Sequence, residues 1–140
     1  EDLTPQFFND PQRIKQILIN LMRNAQKFTF KGFIRLKAAN YQERNEDNEV
    51  VRGLQFEVYD TGIGINKHSL QKLFKLFGKL DDPSQINNEG TGLGLYITKQ
   101  LVEQMGGRIT AESEVHKFTN FIVKIPNKLE DASFETKNLQ

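Results

Sequence analysis

The stretch "LQFEVYDTGIGI" (54–65) carries an alternating apolar run onto a carboxylate, Asp60, with Gly62 and Gly64 directly after it. By a period of two, Asp60 shares the inward face with Leu54, Phe56 and Val58. An ionised group there is costly unless a partner satisfies it. Two glycines leave open space beside it, so Asp60 can accept a hydrogen bond from an exocyclic amine such as that of adenine. It can equally cap the tight turn of "DTGIG". A second group lies in "INLMRNAQKF" (19–28), where Asn20, Asn24 and Lys27 fall on one stripe at about 100° per residue. Asn24 offers an uncharged oxygen, and Mg²⁺ commonly takes one or two protein oxygens besides phosphates and water. Lys27 can reach a phosphate as a mobile point charge. The plain alternative is a solvated helix edge, although two mediocre helix formers in an apolar helix speak against it. The third group is Gly90, Gly92 and Gly94, at the start of a helical pattern. Free N–H groups and the helix dipole favour an anion there, and glycines let the backbone approach it. A hinge or close packing against the sheet is the alternative. There is no GxxxxGK[ST] and no G-x-G-x-x-G after a strand, so neither a P-loop nor a Rossmann turn is present.

These groups need elements to hold them. Residues 10–28 read as a helix with Asp10 as N-cap, Pro11 in the first turn, and an apolar stripe of Ile14, Ile17, Leu18, Leu21, Met22 and Ala25. Strands are expected over 32–41, with Ile34, Leu36 and Ala38 inward, and over 54–60; the polar residues 42–52 read as a hairpin connection. A helix follows over 66–77 through Leu70, Leu73, Phe74 and Phe77. Residues 78–91 are polar and aperiodic, as lids often are. The helix after Gly94 carries Leu95, Ile97, Leu101, Val102 and Met105, and Gly106–Gly107 stops it. Two more alternating strands cover 108–114 and 119–125. The order predicts an α/β sandwich with helices on one face of a mixed, mainly antiparallel sheet. One domain over 1–126 and a polar tail over 127–140 are expected.

Composition narrows the class. The 140 residues carry 37% hydrophobic and 26% charged residues, a formal net charge of +1 and no cysteine. The balance implies no general attraction to nucleic acid or membrane, and disulfides and thiolate metal sites are excluded. No apolar run approaches the ~20 residues that span a bilayer.

In order along the chain, "NLMRNAQKFT", "DTGIGI", the phenylalanines of "LFKLF" and "GTGLGL" resemble the N, G1, F and G2 boxes of the histidine protein kinase catalytic and ATP-binding domain. That domain belongs to the GHKL group of gyrase, mismatch-repair and chaperone ATPases, and the likeness runs from about residue 5 to 126. It implies a Bergerat-type sandwich that binds ATP and Mg²⁺. Asp60 would take the adenine amine beside Gly62, Gly64 and Ile65, and Asn24 would hold the metal. Lys27 would contact phosphate, and Phe74 and Phe77 would anchor a lid. Gly90, Thr91, Gly92, Leu93, Gly94 and Leu95 would shape the phosphate loop. Asn20 stands where hydrolysing relatives carry a glutamate that activates water; an amide cannot take that proton, which suits phosphoryl transfer to a protein.

The chain departs from the family at "EVHKFTNF" (114–121), where Thr119 and Phe121 match but His116 and Phe118 replace common glycines. A differently shaped hairpin is expected, which loosens the assignment of Thr119 to the nucleotide. No phosphoacceptor helix with a His-Glu/Asp pair is present, and His68 and His116 read as surface residues. The resemblance therefore implies one part of a longer, cytoplasmically working kinase, whose parent could be membrane-anchored. Its partners would be a histidine-bearing dimerisation domain and, downstream, a response-regulator receiver domain. A nucleotide-holding but inactive kinase module, or a clamp or chaperone ATPase, are the rival readings.

Overall fold

The computed structural model describes residues 10–75 and 93–127. Phe77, Gly90, Thr91 and Gly92, the proposed lid over 78–91 and most of the tail lie outside the described residues. Helix α1 spans Pro11–Phe28. Asp10 caps it by accepting from the N–H groups of Gln12 (3.0 Å) and Arg13 (3.4 Å), an arrangement worth about 1 kcal/mol. Strands β1 (Ile34–Arg44) and β2 (Val50–Asp60) form a hairpin. The short helix α2 (Lys67–Lys72), α3 (Leu93–Gln104), β3 (Arg108–Glu114) and β4 (Phe118–Pro126) follow. The sheet order is β1-β2-β4-β3, and all three pairings are antiparallel.

The inward rows explain the core. Phe56, Val123 and Ile109 lie side by side across three strands, as do Val58, Phe121 and Ala111. Onto them pack Ile17, Leu21 and Ala25 of α1, Val102 of α3 and Met105 just past its end, all buried. Burial of each large apolar side chain contributes roughly 1.5–3 kcal/mol. The next row toward the strand ends is Ile34, Asp60, Thr119 and Ser113. There the core turns polar.

Several expectations are corrected. The hairpin strands reach Arg44 and resume at Val50, so the connection is Asn45–Glu49 and not 42–52. Residues 42–44 and 50–52 belong to a ribbon held by ladder hydrogen bonds and by ion pairs such as Arg108 with Glu43. Leu36 faces the helical side but is 48% exposed, because β1 is an edge strand that α1 barely covers. Of the expected helix over 66–77, the described residues to 75 form a regular helix over Lys67–Lys72, with Asn66 as its cap. Helix α3 begins at Leu93, so Gly94 lies within its first turn. Ile97 is 42% exposed, and Thr98 takes the buried position instead. No described helix is long and apolar enough to cross a membrane.

Candidate functional site

Asp60 ends β2 and is 2% exposed. Its Oδ1 accepts from the N–H of Gly62 at 2.9 Å, so the turn-capping role weighed from sequence is real. It engages one oxygen of two. The Thr29 hydroxyl is buried without a hydrogen-bond partner, close enough to Asp60 to draw its pKa down but short of bonding geometry. Burial has the larger effect and, against the Gly62 N–H and Thr29, leaves the carboxyl above its ordinary value.

The glycines beside Asp60 do not leave open space. A Cβ on Gly62 would lie 2.2 Å from the Phe28 carbonyl oxygen, and one on Gly64 would lie 2.2 Å from that of Glu114. Gly64 also has a φ of +71°. Both glycines let this turn press between the end of α1 and the β3–β4 turn. The N–H of Ile63 donates to the Phe28 carbonyl at 3.1 Å, and that of His116 donates to the Ile63 carbonyl at 2.7 Å. The N–H of Ile65, itself buried, donates to Ser113 Oγ at 2.8 Å. Ser113 in turn lies 2.8 Å from Thr119 Oγ1 and donates to the Phe118 carbonyl at 2.7 Å. Thr119 is therefore buried directly beside Asp60 across the β2–β4 ladder.

The hairpin that departs from the family's glycines closes with His116 at a φ of +65°. The N–H of Lys117 donates to the Glu114 carbonyl at 3.0 Å. A non-glycine residue in the left-handed region is uncommon and strained. Here its backbone N–H anchors the turn after Asp60, which is what holds it there. The imidazole is exposed, as is that of His68 on α2.

On α1, Asn20, Asn24 and Lys27 are each half-buried. Lys27 Nζ lies 5.4 Å from the centre of the Phe28 ring. The Asn24 side chain has no hydrogen-bond partner among the described residues. Asn20 Nδ2 donates to Thr98 Oγ1 of α3 at 3.3 Å. Phe74, just past α2, packs edge-on against Phe121 of the core, with ring centres 6.2 Å apart. Leu93 and Gly94 open α3, and Leu95 packs partly buried against the core. The described part of the site thus brings together Asp60, Gly62, Gly64, Ile65 and Thr119, with the polar edge of α1 running to the helix end that meets them. No cluster of three or more His, Cys, Asp or Glu that could hold a metal occurs among the described residues. A cation here would depend on amide oxygens and on the ligand's own oxygens, and the unpartnered Asn24 fits that demand.

Two residues escaped the sequence reading. Ser113 continues the inward period of Ile109 and Ala111, so a polar residue there could have been noticed. Thr98 sits four residues after Gly94 and four before Val102, on the buried stripe, but the more hydrophobic Ile97 drew the assignment.

The described fold is an α/β sandwich with a row of polar residues at its strand ends. The chain belongs to the family of histidine kinase-, DNA gyrase B- and HSP90-like ATPases, whose model matches residues 9–129. Within it, the chain is similar to the sensor histidine kinase GacS of Pseudomonas protegens, 40% identical over 125 residues, covering 88% of this chain and 13% of that protein. It is also similar to the circadian input-output histidine kinase CikA of Synechococcus elongatus, 44% identical over 123 residues, covering 87% of this chain and 15% of that protein. The chain thus spans only a small part of the relatives it matches. Among solved structures, full-length ShkA in complex with AMPPNP matches with a TM-score of 0.69 and 29% identity, over 89% of this chain and 23% of that one. The mycobacterial sensor histidine kinase MprB matches with a TM-score of 0.63 over 87% of this chain and 75% of that one. At 24% identity the latter bears on the fold alone. The α/β sandwich expected from sequence is the fold observed.

Proposed function

We propose that this chain binds Mg–ATP and donates the γ-phosphoryl group to a histidine on a separate dimerisation domain, as the catalytic part of a two-component sensor kinase. The observation that carries the reading is Asp60: a buried carboxylate at a strand end, with one oxygen engaged by Gly62. The other oxygen is the acceptor for the adenine amine, and Thr119 borders the same spot. Asn24 supplies an amide oxygen to Mg²⁺, and Lys27 neutralises phosphate charge. Mg²⁺, when bound, offsets charge on the phosphate oxygens. The chain's own residues orient the nucleotide and exclude water from its base, and positioning of this kind carries most of the catalysis in phosphoryl transfer. Asn20 cannot act as a base, which favours transfer to a protein over rapid hydrolysis. The solved complex of ShkA with AMPPNP supports the nucleotide assignment, and the names of GacS and CikA support the kinase assignment. A receiver domain would take the phosphoryl group downstream.

The test is incubation with γ-labelled ATP, with and without a purified dimerisation domain bearing its histidine. Acid-labile label should appear on the added domain and not on this chain, because His68 on α2 and His116 in its turn have nothing to bring them in line with a γ-phosphate. Label on these 140 residues alone would mean that the acceptor is misplaced. Rapid steady-state hydrolysis without acceptor would favour the clamp ATPase reading instead.

A further inference from the structure

Thr98 is a fully buried polar residue on α3, at 0% exposure. Its hydroxyl donates to the Gly94 carbonyl one turn earlier in the same helix, at 2.7 Å. The same oxygen accepts from Asn20 Nδ2 of α1 at 3.3 Å. A threonine hydroxyl has a single hydrogen. With that hydrogen committed to Gly94, Thr98 can only accept from Asn20. The amide of Asn20 is thereby forced into one of its two flip states, with its NH₂ toward α3 and its Oδ1 turned away from Thr98.

We propose that Thr98 is a positioning residue. It holds Asn20 with its oxygen presented on the polar edge shared with Asn24 and Lys27, and it ties that orientation to the first turn of α3 through Gly94. The proposal rests on the Mg–ATP reading above, and it adds a direction to it. Asn20 acts as an oxygen donor toward the metal-bound phosphates, and the helix that follows the glycine-rich stretch sets that donor. A threonine that merely back-bonds within its own helix would need only Gly94. The contact from α1 is what gives Thr98 a second role. Without the hydroxyl, the amide of Asn20 is free to turn, and the cation must itself draw the oxygen round and hold it there.

The experiment is a Mg²⁺ titration of binding of a non-hydrolysable ATP analogue, by calorimetry, to the wild-type chain, Thr98→Val and Thr98→Ser. The valine is nearly isosteric and lacks the hydroxyl; the serine keeps it. Thr98→Val should leave metal-free nucleotide affinity within about two-fold of wild type. It should raise the Mg²⁺ concentration for half-maximal binding roughly ten-fold, the effect of one lost or misdirected hydrogen-bonding oxygen. Thr98→Ser should restore the wild-type value. A valine variant that matches wild type in Mg²⁺, or a loss that serine does not rescue, overturns the positioning role. If Thr98→Val does not fold, NMR of the wild-type Asn20 side chain decides. Its Cγ resonance should move when Mg²⁺ is added to the nucleotide complex while its NH₂ protons stay protected from exchange, and a Cγ blind to Mg²⁺ overturns the proposal. Wild-type chain that binds no nucleotide would bring down the proposed function and this inference with it, whereas normal wild-type binding with an indifferent valine variant overturns this inference alone.

Discussion

Replacing Asp60 by asparagine exchanges one oxygen for an NH₂, and the structure says which one. The Gly62 N–H, 2.9 Å from Oδ1, still demands an acceptor, so the asparagine must keep its oxygen on that side. Its NH₂ then points where the adenine amine would sit, donor against donor. The loss is a charge-assisted hydrogen bond, about 1.5–3 kcal/mol, or roughly ten- to a hundred-fold in ATP affinity. Stability of the nucleotide-free protein should move the other way. Burial holds the Asp60 carboxyl above its ordinary value of 3.8, so the ionised group costs stability near neutral pH that a neutral amide does not. The sign with pH follows. Between 3.8 and the raised folded value, the native state keeps a proton that the unfolded chain has released. The stability due to that proton is present below this window and is lost as pH rises through the folded pKa. Binding of the amine needs the carboxylate, so ATP affinity should weaken as pH falls through the same raised value, and in Asp60→Asn that part of the profile should be flat. The NH₂ also suits the carbonyl oxygen of guanine, so the variant should lose its preference for ATP over GTP. Calorimetry with ATP and GTP, alongside thermal melts of the unliganded protein across pH, reads all of these. An unchanged ATP affinity, or a binding loss accompanied by a lower melting temperature, would refute the argument.

Asn24→Ala should abolish Mg²⁺-dependent phosphoryl transfer in a reconstituted kinase while leaving metal-free nucleotide binding close to wild type, and an unchanged transfer rate would remove Asn24 from the site. Gly64→Ala adds a Cβ 2.2 Å from the Glu114 carbonyl at a φ of +71°; it should cost at least about 2 kcal/mol by denaturant melting and weaken nucleotide binding as the turn is pushed off β3. His116→Gly should relieve left-handed strain of about 1–2 kcal/mol against roughly 0.4–1 kcal/mol of added unfolded-state entropy. The expected net is a small stabilisation with nucleotide affinity retained, since the bond to the Ile63 carbonyl uses only the backbone. Glu43→Gln should cost about 1 kcal/mol or less, because its two-pronged pair with Arg108 lies on the surface, and chemical denaturation at low and high salt would read it.

The sequence by itself determined the elements whose signals are local. Asp10 before Pro11, the 3.6-residue stripe of α1, the alternation in β2 and β4, and Gly106–Gly107 after α3 each act over a few residues, and each element formed where its pattern lay. Asp60 was also legible, because a carboxylate in the inward register of an apolar strand contradicts that strand's own pattern. What tertiary structure decided depends on neighbours distant in the chain. On the β1 side the ribbon beyond residue 41 is polar on both faces (Gln42, Glu43, Arg44), so only cross-strand pairing with Val50, Val51 and Arg52 shows that it is strand. Leu36 and Ile97 lie exposed because no described element covers the sheet edge beside one or the outer side of α3 at the other. The glycines after Asp60 make room for the carbonyls of Phe28 and Glu114, which lie far from Gly62 and Gly64 along the chain. Thr98 and Ser113 gained their partners Asn20 and Ile65 only when α1 met α3 and β3 met the turn after β2. Hydrogen-bond partners are chosen by distance and direction in space, and a linear pattern carries neither.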